Sequence, residues 1–387
     1  MIRIANRIQD ALTFQAMEVT KTAQKLKEQG KDIISLGIGE PDFTAPPIVV
    51  ETLSHAAEAG LSGYSPALGI APLRTAIADY YKNAFGASVN PEQVIITSGA
   101  SGALSLACLS VLNPGDEILM PDPAYPANSN FIICAGAKPR LIPCFKEERF
   151  QLSAEKIIAN WGSNTRGVLI ASPSNPTGTS VDIEELRKIF KVVKERNGLI
   201  IMDEIYLGLS YDLKPVSALT LDPDIIVINS FSKYFNMTGW RLGWMIVPAN
   251  VVPAVEKLAS SLAICPSTLA QHAAITCFTD EAMAIYEKRR LAFKERRDYL
   301  IPELERLKLT VPVVPDGAFY IYADISHYAD DSETFARDLL NEAGVVVIPG
   351  LDFGPEHARR MIRISYATGL DRLKEAIARM ESFLNRQ

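Results

Sequence analysis

Short apolar, β-branched runs recur along the chain, each closed by glycine, proline or a polar residue. Residues 94–97, 117–120, 167–171, 199–202, 224–229 and 242–247 read as buried strands. Helical patterns lie among them: Leu73, Ile77 and Tyr80 on one face, the run 103–107, and Leu186 with Phe190. The last of these starts near Asp182, with Glu185 completing a capping-box pattern. The first thirty residues suggest an arm and a helix, with Phe14, Met17 and Leu26 as apolar anchors and Gly30 as the stop. From about Asp280 to Leu307 the pattern predicts one long amphipathic helix, broken near Pro302. The tail alternates strands and helices, with strands at 317–322, 345–348 and 361–366. On the last strand Ile362 and Ile364 share one face, and Arg363 lies with Ser365 on the other.

Composition narrows the function classes. With 387 residues the chain is long enough for two domains sharing a substantial core. A net charge of -6 argues against a general nucleic-acid or membrane-surface binder. No apolar run approaches the roughly 20 residues that span a bilayer, and residues 1–7 lack the apolar core of a signal peptide. The five cysteines form no C-x-x-C pair, and the four histidines have no metal-ligand spacing. No metal site is expected, and a reducing, cytoplasmic setting fits best.

The chemistry concentrates at strand ends. Between two apolar strands stands Ser230-Phe231-Ser232-Lys233-Tyr234-Phe235-Asn236-Met237-Thr238-Gly239-Trp240-Arg241. Burial among aromatic residues disfavours an ammonium, and a neutral amine is what Schiff-base chemistry needs. The serines and the arginine flanking Lys233 suit a phosphate. Ser98-Gly99-Ala100-Ser101-Gly102 follows a strand and opens a helix, an arrangement that offers free N–H groups to an anion. Asp203 and Glu204 end a buried strand, where open α/β sheets bind ligands, and sequence alone does not choose between them. Tyr125 follows another strand end and could stack on a flat ring. An arginine at 363, on a core strand, is costly unless paired, and a structural salt bridge would satisfy it.

The order Ser-x-Ser-Lys-x-x-x-x-x-Gly-x-Arg-x-Gly at 230–243 resembles the attachment site of pyridoxal phosphate (PLP) in the class I/II, fold-type I aminotransferases. Gly37-Ile38-Gly39-Glu40-Pro41-Asp42-Phe43 and Asn175-Pro176-Thr177-Gly178 are similar to two further strings of that family. The resemblance spans nearly the whole chain. It implies an α/β fold: a large domain, residues 48–285, with a mostly parallel, seven-stranded type of sheet, and a small α/β domain from residues 1–47 and 286–387. It implies an aminotransferase that moves an amino group from an L-amino acid to a 2-oxo acid by a ping-pong aldimine mechanism, as a homodimer with a shared active site.

By the same resemblance Lys233 bonds the cofactor and shuttles the proton. Asp203 pairs with the pyridine nitrogen, Asn175 and Tyr206 reach the phenolic oxygen, and Tyr125 stacks on the ring. Ser230, Ser232, Arg241 and the backbone of Gly99, Ala100 and Ser101 hold the phosphate, joined by Tyr64 across the dimer interface. Gly39 and Asn175 line the substrate pocket, and Arg363 forks onto the α-carboxylate. An aspartate-type subgroup has a lysine where Ser101 stands, which favours a neutral or aromatic amino acid here, with glutamate or alanine as a second donor. A C–S β-lyase or another fold-type I enzyme can carry the same cofactor set. A cofactor-sensing regulator would need a DNA-binding domain ahead of Gly39, and a nicotinamide-binding Rossmann enzyme would leave Lys233, Asp203 and Arg363 unexplained.

Overall fold

The structure, a computed structural model, describes residues 2–12 and 15–386, without the side chains of 15–18. Its strands in chain order are β1 (Ile34–Ser35), β2 (Val94–Thr97), β3 (Glu117–Asp122), β4 (Lys138–Pro143), β5 (Thr165–Ala171), β6 (Leu199–Asp203), β7 (Ile226–Ser230), β8 (Gly243–Ile246), β9 (Tyr320–Asp324), β10 (Val345–Val346), β11 (Ile348–Pro349) and β12 (Met361–Ser365). Seven of them form one sheet in the order β2-β8-β7-β6-β5-β3-β4. Only β8 runs antiparallel to its neighbours. The carboxyl ends of β2, β3, β5, β6 and β7 therefore share one edge of the sheet. Helices cover both faces, and the inner strand residues are wholly buried, as the continuous apolar runs require.

A three-stranded antiparallel sheet, β11-β12-β9, and the two-stranded pair β1-β10 make up the smaller layer. The segment after β1 runs beside β12, where Ser365 N donates to Leu36 O at 2.7 Å. Ala23 of the helix Gln15–Glu28 packs in a buried cluster with Ile33, Leu340 and Val346, with Leu26 on its margin. Phe14, expected as an anchor, lies outside the described residues, as does the side chain of Met17.

Four expectations need correction. The helix Asp280–Arg306 is unbroken and carries Pro302 inside it. Leu300 and Leu304, both fully buried, hold the turns on either side of the lost hydrogen bond. Asp182 caps its helix through Glu184 N and Glu185 N, but Glu185 does not return the capping box; its Oε1 accepts from Ala154 N at 2.8 Å. The apolar run 345–348 is two short strands in different sheets, because uniform burial leaves its pairing partner unspecified. The strand read from 317 begins at Tyr320, since Ala318 sits at φ 57, off the extended region.

Candidate active site

The sheet edge and the smaller layer enclose a cavity of ≈ 670 Å³. Lys233 stands in its middle. The turn that carries it is pinned from both sides: Met237 N donates to Phe231 O, and Phe231 and Phe235 pack on Trp244 in an aromatic core. The long helix adds Tyr234 Oη to Glu287 at 2.7 Å and Arg289 Nη1 to Asn236 Oδ1 at 2.8 Å. Lys233 Nζ donates to Gly39 O. Burial, and then the charge of Arg363, push its pKa down to about 8, with Glu40 opposing. A usable fraction of neutral amine is thus present near neutral pH.

One end of the cavity is built for an anion. Ser230 Oγ donates to Ser232 Oγ at 3.0 Å, and its own oxygen accepts from Ser232 N. Arg241, at φ 53, donates to Thr238 O. The helix Gly99–Val111 has no side-chain cap, so its first amides are left for a ligand. Gly99 is at φ 72, and a Cβ there would stand 2.6 Å from Arg241 Nη2. A Cβ on Gly243 would meet Ala100 N at 2.8 Å, so the glycine closing the 230–243 motif lets the strand approach that helix start.

Asp203 ends β6 and lines the cavity, accepting from Ile205 N at 3.1 Å. Burial pushes its pKa up to about 6, against the lowering effects of that N–H and of Lys233. Glu204 points the other way, into the core. It accepts from Ala218 N at 2.7 Å, from Ser217 Oγ and from Tyr81 Oη. The choice the sequence leaves open falls to geometry: Asp203 faces the cavity, and Glu204 does not. Asn175, Tyr206 and Tyr125 also line it.

The other end belongs to Arg363, 6% exposed. It donates through Nη1 to Asn175 Oδ1 at 2.8 Å and through Nη2 to Gly37 O at 2.6 Å. Its Nε is buried without a partner. Its guanidinium lies 4.6 Å from the Tyr320 ring and 5.0 Å from the Phe353 ring. No described carboxylate pairs with it, so the salt bridge that would make it purely structural is not there. Because Arg363 can only donate, Asn175 presents its oxygen to it and keeps the NH2 for a ligand.

Of the expected site residues all but two line this cavity: Gly99 lies just behind its wall, against Arg241, and Tyr64 is 85% exposed on the surface. The sequence reading missed Tyr320, Phe353 and Ile38 as lining residues. Tyr320 gave no signal in the sequence: only the strand pairing sets it opposite Ser365, on the same face as Arg363. Its contact with Gly39 likewise joins positions far apart in the chain.

A buried amine and an anion cradle at the carboxyl edge of the α/β sheet, faced from the smaller sheet by a guanidinium with no described carboxylate partner, suit an enzyme that handles carboxylates on a phosphorylated cofactor. Residues 31–380 match the family described as Aminotransferase class I and II. The chain is 38% identical over 376 residues to a valine–pyruvate aminotransferase of Mycobacterium tuberculosis, covering 97% of each. It is 35% identical to an aspartate aminotransferase of Bacillus sp. YM-2, covering 98% of this chain and 99% of that one. The crystal structure of an aminotransferase from Mycobacterium tuberculosis superposes with a TM-score of 0.96 at 38% identity, over 100% of both chains. The chain belongs to the class I and II aminotransferase family and is a pyridoxal-phosphate-dependent aminotransferase of fold type I. The donor set fits that cofactor: an amine for its aldehyde, a buried carboxylate for its ring nitrogen, and a cradle of serines, an arginine and a helix start for its phosphate.

Proposed function

We propose that the enzyme transfers the amino group of an apolar L-amino acid, aliphatic or aromatic, to a 2-oxo acid. Arg363 carries the reading: a buried guanidinium with no described carboxylate partner, and with an unpartnered Nε, suits a substrate α-carboxylate. Bound pyridoxal phosphate supplies the electron sink for the charge left at the substrate's α-carbon. Lys233 anchors the cofactor and, once displaced, moves the proton from the α-carbon to the cofactor's C4′. Asp203 keeps the ring nitrogen protonated. Tyr206 and the Asn175 NH2 donate to the phenolic oxygen, and Tyr125 covers the ring. Ser230, Ser232, Arg241 and the amides of Gly99, Ala100 and Ser101 take the phosphate, while Gly39 borders the substrate.

The cavity's cations among the described residues are Lys233, Arg241 and Arg363, and each already has a task. None is left for a side-chain carboxylate, whereas Ile38, Phe131 and Phe353 offer apolar walls. The relative named valine–pyruvate aminotransferase agrees with an apolar donor. Homodimerisation belongs to the same proposal: Tyr64, exposed on one subunit, would complete the phosphate site of the other. Residues 48–285 are taken as the large domain, and 1–47 with 286–387 as the small one, the helix Asp280–Arg306 running through their boundary. Five free cysteines favour the cytoplasm, and no helix among the described residues is long and apolar enough to cross a membrane.

Absorbance of the PLP-loaded enzyme tests this. Valine, leucine or phenylalanine should discharge the lysine-bound cofactor band at lower concentration than aspartate, and a 2-oxo acid should restore it. Aspartate acting at the lowest concentration would overturn the substrate class. Ammonia and pyruvate accumulating under an unchanged band would overturn amino transfer.

A further inference from the structure

Tyr320, on β9, touches three members of the site at once. Its hydroxyl lies 2.8 Å from that of Tyr206. The same hydroxyl fills the space in front of Gly39, where a Cβ would come within 2.3 Å of it. Its ring lies under the Arg363 guanidinium at 4.6 Å. Both tyrosines are buried, so their shared hydrogen bond is not exchanged for water.

Each hydroxyl has one proton, so the direction of this bond decides what Tyr206 can do. If Tyr206 donates to Tyr320, its proton is spent on a neighbour. If Tyr320 donates, the Tyr206 proton is free for an acceptor in the cavity. The cation over the Tyr320 ring makes that phenol the stronger acid of the pair. Burial raises the pKa of both hydroxyls; at Tyr320 the chief opposing effect is Arg363, whereas at Tyr206 the neighbouring Tyr320 adds to the rise ahead of the opposing Arg363. The stronger acid is the natural donor.

We propose that Tyr320 is a positioning residue for the reaction: its hydroxyl donates to Tyr206 and aims the Tyr206 proton at the cofactor's phenolic oxygen. This rests on the placement of Tyr206 beside that oxygen given above. A donor polarised by a second donor binds a phenolate more strongly and lowers its proton affinity. Arg363 lies over the ring of the same residue, so the substrate carboxylate that neutralises Arg363 also weakens Tyr320 as a donor. Carboxylate binding at one end of the cavity is thereby felt at the phenolic oxygen.

The test is a pH titration of the absorbance of the PLP-loaded enzyme, in wild type, Tyr320→Phe, Tyr206→Phe and the double variant. Loss of the Tyr320 hydroxyl should raise the midpoint of the bound cofactor by about half a pH unit, a change of about threefold in proton affinity. In the Tyr206→Phe background the same substitution should add nothing, because Tyr320 acts through Tyr206. The kcat/KM of Tyr320→Phe should fall several-fold. A midpoint that stays put or drops, or an equal shift in both backgrounds, overturns the proposal. A wild-type chain with no pH-dependent cofactor band would overturn the placement of the cofactor and this inference with it; a normal wild-type band that ignores Tyr320→Phe overturns this inference alone.

Discussion

Two buried arginines, Arg296 and Arg363, show how the same side chain serves the frame and the site. They are 7% and 6% exposed, and each has two aromatic rings against its guanidinium. Arg296 forks onto Asp42 through 2.7 and 2.9 Å bonds, joining the long helix to the segment that follows Gly39. Arg363 has an amide oxygen and a carbonyl instead, and one N–H with no partner. The first pair is complete and stabilises the fold. The second is left short of a negative charge, and that shortfall is what a substrate carboxylate satisfies. Burial of a charge therefore does not reveal a site; a missing counter-charge in the wall of a cavity, as at Arg363, does.

The comparison breaks most sharply at the residue that joins site to chemistry. Replacing Lys233 with alanine should cut transamination by about 10⁴-fold, since anchoring and proton transfer both leave with it. The spectrum should lose its lysine-bound band while the melting temperature stays near that of wild type. Turnover like wild type in that variant would remove the basis of the assignment. At the arginines, Arg363→Leu should lower kcat/KM by about 100-fold, mostly through KM, as expected for losing a charge-assisted fork. The same change removes an uncompensated buried charge, so the cofactor-free fold should be no less stable. Arg296→Leu removes the fork onto Asp42, whose side chain keeps 29% exposure, and should cost about 1.5–3 kcal/mol in denaturant unfolding, with KM changed far less. Equal losses of stability in the two variants would erase the distinction.

Much of this was legible before any coordinates. Apolar runs located six of the seven strands of the main sheet, missing the edge strand β4, whose Lys138, Pro139, Arg140 and Pro143 break any apolar run, and the motifs placed Lys233, Asp203, Asn175 and Arg363 at strand ends or on a strand. A strand end is a local feature, and a ligand site built there leaves local marks. What stayed hidden depends on pairing. The run 345–348 could lie on any buried edge, and it serves two. Glu185 has the right spacing for a capping box, yet a distant amide, that of Ala154, claims it. Tyr320 looks like one more buried strand residue until its hydroxyl is seen between Gly39 and Tyr206.

The neighbouring carboxylates Asp203 and Glu204 repeat the contrast within one dipeptide. Burial pushes them up to about 6 and about 7. Glu204 has three donors, while Asp203 has one backbone N–H and faces the cavity. A carboxylate whose folded pKa lies above its unfolded value contributes stability at low pH and loses it as pH rises through the folded value. For Asp203 the window runs from about pH 4 to about pH 6, and the accumulated cost above it is about 3 kcal/mol. Relative to wild type, cofactor-free Asp203→Asn should gain about that much between pH 4 and pH 7.5, read as denaturation midpoints across pH. Adding pyridoxal phosphate should reverse the order, because only the wild type offers a negative charge to the protonated ring nitrogen. Glu204→Gln should keep the full cofactor-induced rise, its side chain being turned away from the cavity. If Glu204→Gln lost that rise and Asp203→Asn kept it, the two carboxylates would have to exchange their assigned roles.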